Sequence, residues 1–411
     1  MRNRIIAVIF LCFLLFFGVR TGMNVWDSIN DTEKENQPQT EALSDTNDMK
    51  LSGFNRETFD EISNLVTLNL ENRNQWINLN GLFQREMGKT GDLEKDWYLL
   101  KNGMLMYSQR KRTSEDLKTY ANNVVELSRY AERQGINFLY AELPYKVQGS
   151  GEYPAGVPDY GNRNADGIME ILLSKSVQTM DFRDIMKGEN IETTESFFKT
   201  DQHWKPETAL WAAGELSKKL AQVDSEWKDC PEYRNSNNYR MEHHSNLFLG
   251  AIGKKIGSAY ARKDDFNMPI PIFKNTFRYR VPRQEDSIDR TGDFKTAFIE
   301  SDNLENDPFK VNTYAAYCDG DHYKEKITNK KALNKRNILL IRDSFSCTLM
   351  PYFAFYTKNI TTLDLRSYKS RSVYDYIRLH PEIDTVIVAY NPSSITEEQY
   401  TFDKVTNEEN N

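Results

Sequence analysis

"NILLIRDSFSC", residues 337–347, sets five or six residues of buried-strand character directly against an acid and a hydroxyl, Asp343 and Ser344. So apolar a strand belongs inside a parallel sheet, covered on both faces. Its polar end has two readings. Asp343, Ser344 and Ser346 are all good helix-start residues, so the pair can be a turn and a cap. A strand-to-helix turn is also where a nucleophile is best exposed, with backbone N–H groups ready for an oxyanion. That second reading requires a base from elsewhere in the chain.

Outward from this stretch the pattern repeats. Apolar strand candidates lie at residues 136–141 ("INFLYA"), 177–182 ("VQTMDF"), 360–365 ("ITTLDL") and 385–389 ("TVIVA"). Helical periodicity fills 114–133, 166–175, 206–221, 346–356 and 371–379, with Glu115 and Asp116 in the first turn of the first and Gly135 just past its end. Alternation of this kind predicts an α/β fold, a doubly wound and mostly parallel sheet with helices on both faces. Residues 224–335 break the alternation. They are richer in Asn, Pro, Tyr and charge, and read as an insertion with short strands of its own.

In an open α/β sheet, ligands bind outside the carboxyl ends of the strands. Applied here, that rule gathers Glu142 and Lys146 after the first strand, and Asp201 and His203 at the end of the loop after the second. It adds Arg342, Asp343 and Ser344, then Arg366, then Tyr390 and Asn391. A serine, an imidazole and a carboxylate on one rim are the parts of acyl transfer. In "TDQHWKPE", Pro206 suits a first helical position, and Asp201 stands two residues before His203, able to accept from one ring nitrogen and fix the tautomer. The bland alternative is that Asp201 caps the helix and His203 is a partly buried loop residue. Arg366 reads equally as a partner for an acidic group or as a surface salt bridge. Asn391 before Pro392 is a turn or an oxyanion donor. The pair His243 and His244 lies in an irregular segment with no acidic partner at ligand spacing, so no metal site is expected. "GAIGKK", residues 250–255, lacks phosphate-loop spacing and reads as a basic loop able to touch an anionic glycan.

The chain has 411 residues and a net charge of −7, which argues against a general nucleic-acid binder. Arg2 and Arg4 precede the uncharged apolar run 5–19, about 22 Å of helix. "FGVRTGM" offers no small-x-small cleavage site. With Arg20 snorkelling towards Trp26, the preferred reading of residues 1–26 is an uncleaved single-span membrane anchor, the rest lying outside the cytoplasm. Cleavage, giving a secreted protein, is the alternative. Residues 27–55 are acidic and polar and read as a flexible linker, and 56–405 as the folded domain, opening with a helix over 56–76. Cys12 lies in the apolar run; Cys230 and Cys318 could pair, and Cys347 reads as a small buried hydrophobe.

Two stretches together carry a resemblance. "TDQHWKPETALWAAGELSKKL" resembles the Asp-x-His-Trp segment of the DHHW family, which belongs with the alginate O-acetyltransferase-like proteins of SGNH hydrolase-like fold. "NILLIRDSFSCTLMPYFAFYTKNITTLDLRSY" is similar to the same family's nucleophile block, and "FLGAIGKKIGSAYARKDDFNMPIPIF" to its intervening segment. The resemblance implies Ser344 as nucleophile, His203 as general base and Asp201 as its orienter. Arg342 stands where the commoner form has Gly, and Gln202 replaces the first His of the name-giving motif. It further implies O-acetylation of an extracytoplasmic polysaccharide through an acyl-Ser344 intermediate, with no cofactor of the domain's own. The acyl group would come from a membrane-bound O-acyltransferase. Arg366, Asn391, Tyr390 and Lys146 are the candidates for substrate or oxyanion contacts. Two other functions remain open: an acetyl esterase with the same triad, and a non-catalytic glycan-binding scaffold of the envelope.

Overall fold

A computed structural model of the chain describes residues 72–282, 287–305 and 307–403, together with Val19 and Met23. The expected anchor and linker, and most of the helix expected over 56–76, lie outside the described residues. Among those described, no helix is long and apolar enough to cross a membrane. The chain divides into two units, residues 1–80 and 81–411. In the first, the described chain opens the helix Arg73–Glu86. The second holds every strand of the molecule among the described residues.

The turn-rich segment around Trp97 is a hairpin of β1 (Trp97–Leu99) and β2 (Leu105–Tyr107). The sheet begins with β3 (Asn137–Glu142) and β4 (Thr179–Asp181). Residues 224–335 supply β5 (Tyr239–Phe248) and β6 (Asp264–Pro271), a separate hairpin, and then β7 (Phe277–Val281), β8 (Ile288–Gly292) and β9 (Lys324–Thr328). The chain then forms β10 (Asn334–Arg342), β11 (Thr357–Leu363) and β12 (Thr385–Tyr390). The eight-stranded sheet has the order β4-β3-β12-β10-β11-β9-β7-β8. The β4-β3-β12-β10-β11 part is parallel; β9 joins β11 antiparallel, and β7 joins β9 likewise. The expected α/β fold with a mostly parallel sheet is therefore what forms. Residues 224–335 carry short strands of their own, and three of these extend the central sheet.

Burial explains the strand choice. Every residue of β12 is buried, as a central parallel strand requires. Successive side chains point to opposite faces. Ile338 and Leu340 of β10 join one core with Ile387 and Ala389, while Leu339 and Ile341 join the other with Val386 and Val388. The first face is covered by the helices Pro206–Val223 and Ser346–Phe353, which pack on each other. The second is covered by Ser114–Arg133, Gly161–Ser174 and Val373–Leu379. Ser114–Arg133 begins in a full capping box between Thr113 and Asp116. The strand expected over 177–182 shortens to three residues because Asp181 caps the next helix, its side chain accepting from the Arg183 amide. Cys230, Cys318 and Cys347 are all free, so the suggested Cys230–Cys318 bridge does not form.

Candidate active site

The parallel strands all end at one rim, and β10 delivers Asp343 and Ser344 to it. Neither serves as a side-chain cap. The helix Ser346–Phe353 has Phe345 in the cap position, without a capping side chain. Asp343 instead anchors the turn. It is fully buried and accepts from the Phe345 amide (3.1 Å), the Asn391 amide (2.7 Å) and the Ser394 hydroxyl (2.8 Å). Burial pushes its pKa up, opposed by those donors. Ser344 follows this anchor directly, and its side chain finds a partner across the site.

That partner is His203. Its Nε2 lies 2.7 Å from Ser344 Oγ, and its Nδ1 lies 2.5 Å from Asp201 Oδ1. Asp201 does not cap the following helix, whose cap residue is Lys205 with no side-chain bond. Its Oδ1 also accepts from the His203 amide (3.0 Å), and its Oδ2 from the Ala251 amide (2.7 Å). Burial would raise the Asp201 pKa, but His203 and these donors outweigh it and hold it below the ordinary carboxylate range. A carboxylate accepting at Nδ1 fixes that nitrogen as the donor, which leaves Nε2 free to accept from the serine.

Several residues that no motif announced hold this chain in place. Tyr314 stacks on the imidazole, with ring centroids 4.2 Å apart and planes 19° apart, and Phe345 packs on it at 4.9 Å. The Tyr314 hydroxyl shares Thr348 Oγ1 (3.0 Å) with the Trp204 indole N–H, which donates to it at 2.9 Å and to the Phe345 carbonyl at 3.1 Å. The tryptophan after the histidine is thus a strut between the base's loop and the nucleophile's helix. Asp264 accepts from the Lys199 and Thr200 amides, both at 2.9 Å, fixing the loop just before Asp201. "GAIGKK" is not a loop but the helix Ala251–Ile256, whose first amide serves Asp201. A Cβ on Gly250 would overlap the Asp201 side chain, so glycine is required there for the carboxylate to sit. Tyr107, from β2, donates its hydroxyl to Gln202 Oε1. Burial and the nearby Asp201 and Asp343 raise its pKa to about 12, opposed by Ser393 and Arg366. Signals for these in the sequence were slight. Trp204 and Gly250 stand inside quoted motifs, whereas Tyr107 and Tyr314 stand in unpatterned segments.

Of the four contact candidates, only Arg366 remains near open solvent. Its side chain is 39% exposed and grips Asp364 through Nε (2.9 Å) and Nη2 (2.5 Å), with Asp321 at 3.3 Å. Lys146 is excluded from substrate contact: it is fully buried, and its ammonium donates to the carbonyls of Leu105 (2.7 Å), Lys199 (3.2 Å) and Asp201 (2.6 Å). Burial pulls its pKa down to about 7. Tyr390 is also fully buried and donates to the Gln399 carbonyl (2.7 Å). The Asn391 amide donates to the Pro144 carbonyl (2.5 Å) and its Oδ1 accepts from Ser393, so it is a brace and not an oxyanion donor. The backbone N–H of Ser344 makes no hydrogen bond among the described residues and is available for that task.

Arg342, at the position the resemblance gives to glycine, turns its side chain away from the serine. It is fully buried and pairs with Asp321, Glu325 (2.7 Å) and Asp364 (3.4 Å), and donates to the His322 carbonyl (3.0 Å). Burial would raise the Asp321 pKa; Arg342 and Arg366 more than offset it and hold it well below the usual range. Cys347 donates its thiol to Asp321 (3.1 Å), so it is a member of this cluster and not merely an apolar filler. His243 lies on β5 near Asn267 and Ser245, and no group of metal-ligating side chains forms among the described residues.

Known proteins agree with this architecture. A family model described as the SGNH hydrolase-like domain of the acetyltransferase AlgX matches residues 94–246, a span that holds Asp201 and His203 and ends before Ser344. Bacillus cereus PatB1 is similar in structure, with a TM-score of 0.61 at 20% identity over 75% of this chain and 98% of that one. The same protein with a sulfonyl adduct gives 0.61 at 20% identity, covering 74% and 99%. A DHHW family protein from Eubacterium siraeum gives 0.53 at 19% identity, covering 73% and 91%. No curated protein matches in sequence. The resemblance carried by the two motifs therefore stands, and likeness at these identities speaks for the fold.

Proposed function

We propose that this chain, with its SGNH hydrolase-like fold, is an extracytoplasmic serine-dependent O-acetyltransferase acting on a cell-envelope or secreted polysaccharide. The observation that carries the proposal is the continuous contact Ser344 Oγ–His203 Nε2 (2.7 Å) and His203 Nδ1–Asp201 Oδ1 (2.5 Å) at the carboxyl rim of the sheet. A merely structural serine has no need of an oriented imidazole. The AlgX domain of the matching family model is described as an acetyltransferase, which favours transfer over simple hydrolysis.

The chemistry follows from the geometry. Ser344 Oγ attacks the acetyl carbonyl of the donor while its proton passes to His203 Nε2. The Ser344 N–H faces the developing oxyanion. The proton then goes from Nε2 to the departing donor oxygen, leaving acetyl-Ser344. In the second half a sugar hydroxyl gives its proton to Nε2 and attacks the acyl carbon, and Oγ leaves with that proton. Asp201 keeps Nδ1–H in place throughout and offsets the transient imidazolium charge. The stacked Tyr314 ring and the tilted Phe345 ring keep the imidazole edge on the serine and exclude water from around it. The donor belongs to this reading too: a membrane-bound O-acyltransferase beside which an N-terminal anchor would hold the domain.

An active-site serine probe followed by peptide mapping tests the nucleophile. Label is expected only on the peptide bearing Ser344, and none in His203→Ala. Label elsewhere, or label surviving that substitution, would sink the mechanism. Turnover of a chromogenic acetyl ester with and without glycan then separates transferase from esterase: flux should move from acetate to acetylated sugar.

A further inference from the structure

A groove of about 760 Å³ opens between the helices Gly161–Ser174 and Phe182–Gly188, at the edge of the sheet that β4 forms. Its wall includes Pro144 and Tyr145, which follow β3, so it lies on the same carboxyl rim as Ser344. The wall is braced to the nucleophile turn. Asn391 donates its side-chain amide to the Pro144 carbonyl and its backbone N–H to Asp343, the anchor of that turn. Between β4 and β10 stand β3 and β12, three strand spacings or about 14 Å along the rim. That is the reach of several sugar rings, not of one.

The lining has the mixed character a pyranose needs. The exposed Leu173, backed by the largely buried Met169, offers an apolar surface for C–H faces, beside carboxylates and amides able to meet hydroxyl groups. Its charge is uneven. Asp166, Glu170, Asp181 and Asp184 stand against Arg183 and Lys187, a net of −2 from four acids and two bases. Arg183 is already committed, to Asp181 (2.6 Å), Asp166 (2.9 Å) and Asn162 (3.2 Å). Glu170 and Asp184 are exposed carboxylates, and no arginine pairs with either among the described residues, so a polyanionic chain laid here would be repelled.

Resting on the acetyl transfer proposed for Ser344, we infer that the acceptor is an extended glycan of neutral or amino sugars, not a polyuronate. One sugar stands at Ser344 and the chain continues along the rim into this groove.

The experiment uses the full chain, a chromogenic acetyl ester as donor, and two acceptor series of one to six rings: chitooligosaccharides and oligogalacturonates. Acetylated products are counted by mass spectrometry. Transfer to the chitooligosaccharides should rise about tenfold or more between one ring and four, and exceed transfer to the uronates of equal length by a similar factor. Glu170→Lys with Asp184→Lys should shift the chitooligosaccharide-to-uronate ratio towards uronates by about tenfold, a ratio that partial loss of folded protein leaves unchanged. Length-independent transfer, equal use of the two series, or an unmoved ratio in the variant would each overturn the groove assignment while acyl transfer stands. Ester turnover surviving Ser344→Ala would instead overturn the catalytic reading, and this inference with it.

Discussion

At the scale of single residues, Asp201 and Trp204 do the quiet work. Asp201 has both carboxylate oxygens occupied, one by the imidazole and one by a helix-start amide. Asp201→Asn keeps the shape but can present its N–H to Nδ1, which favours the wrong tautomer. Acetyl-ester turnover should fall by about a thousandfold to ten-thousandfold, with the fold intact by circular dichroism. Trp204→Phe removes two indole hydrogen bonds and leaves the Phe345 carbonyl only the longer contacts from the Tyr314 (3.4 Å) and Thr348 (3.3 Å) hydroxyls. The expected cost is about 1–3 kcal/mol in denaturant unfolding. An unchanged midpoint would show that the strut carries no load. Trp204 and His203 could be read together from "DQHW" because neighbouring residues share one short loop. Tyr314 could not: it reaches His203 from inside the insertion, and no local pattern reports a contact made at that separation.

At the scale of elements, the turn after β10 decides most. Arg342 ends the strand pointing into the carboxylates of Asp321, Glu325 and Asp364, while Ser344, two residues on, meets the histidine. Arg342→Met would leave the fully buried Glu325 without its cation, while Arg366 still holds Asp364 and Asp321. Destabilisation of about 3–5 kcal/mol is expected by chemical denaturation, since removing one partner of a buried pair strands the other. Gly250→Ala tests a different element, the start of the helix Ala251–Ile256. Its methyl group would collide with Asp201 and swing the carboxylate off the imidazole, so turnover should drop far more than stability. Equal losses in both would mean the glycine serves packing alone. Elements were largely legible in advance, because burial on both faces of β10 and β12 writes unbroken apolar runs. What escaped was the destination of β7, β8 and β9. Antiparallel strands at a sheet's flank alternate in burial, as β7 does, and nothing in that alternation names the sheet they join. Lys146 is the converse case: a cation after a strand suggests a substrate contact, and only the closure of three carbonyls around it reveals a buried brace.

At the scale of the whole molecule, pH should act through Glu142. It is fully buried at the end of β3, accepts from the Tyr140 hydroxyl (2.9 Å), and has its pKa pushed up to about 8 chiefly by burial, with Arg183 opposing. The folded form therefore holds this proton more tightly than the unfolded one. Its contribution to stability is complete below the ordinary value of 4.5 and declines as pH rises through about 8. Glu142→Gln should flatten that decline, so that the variant gains on the parent between pH 5 and pH 9 in urea midpoints. Parallel curves would rule the carboxyl out as the source.

The placement of β12 has a consequence for how the protein is made. It is the last strand of the described chain, yet it lies in the middle of the five parallel strands, between β3 and β10. A nascent polypeptide can therefore align its early helices and strands, but the gap between β3 and β10 stays open until β12 has emerged and slotted home. Closing such distant neighbours is slow. Until then the anchor for Asp343 at Asn391 does not exist, and the serine turn has nothing to lean on. The molecule is so arranged that no copy still lacking β12 and Asn391 carries a working centre.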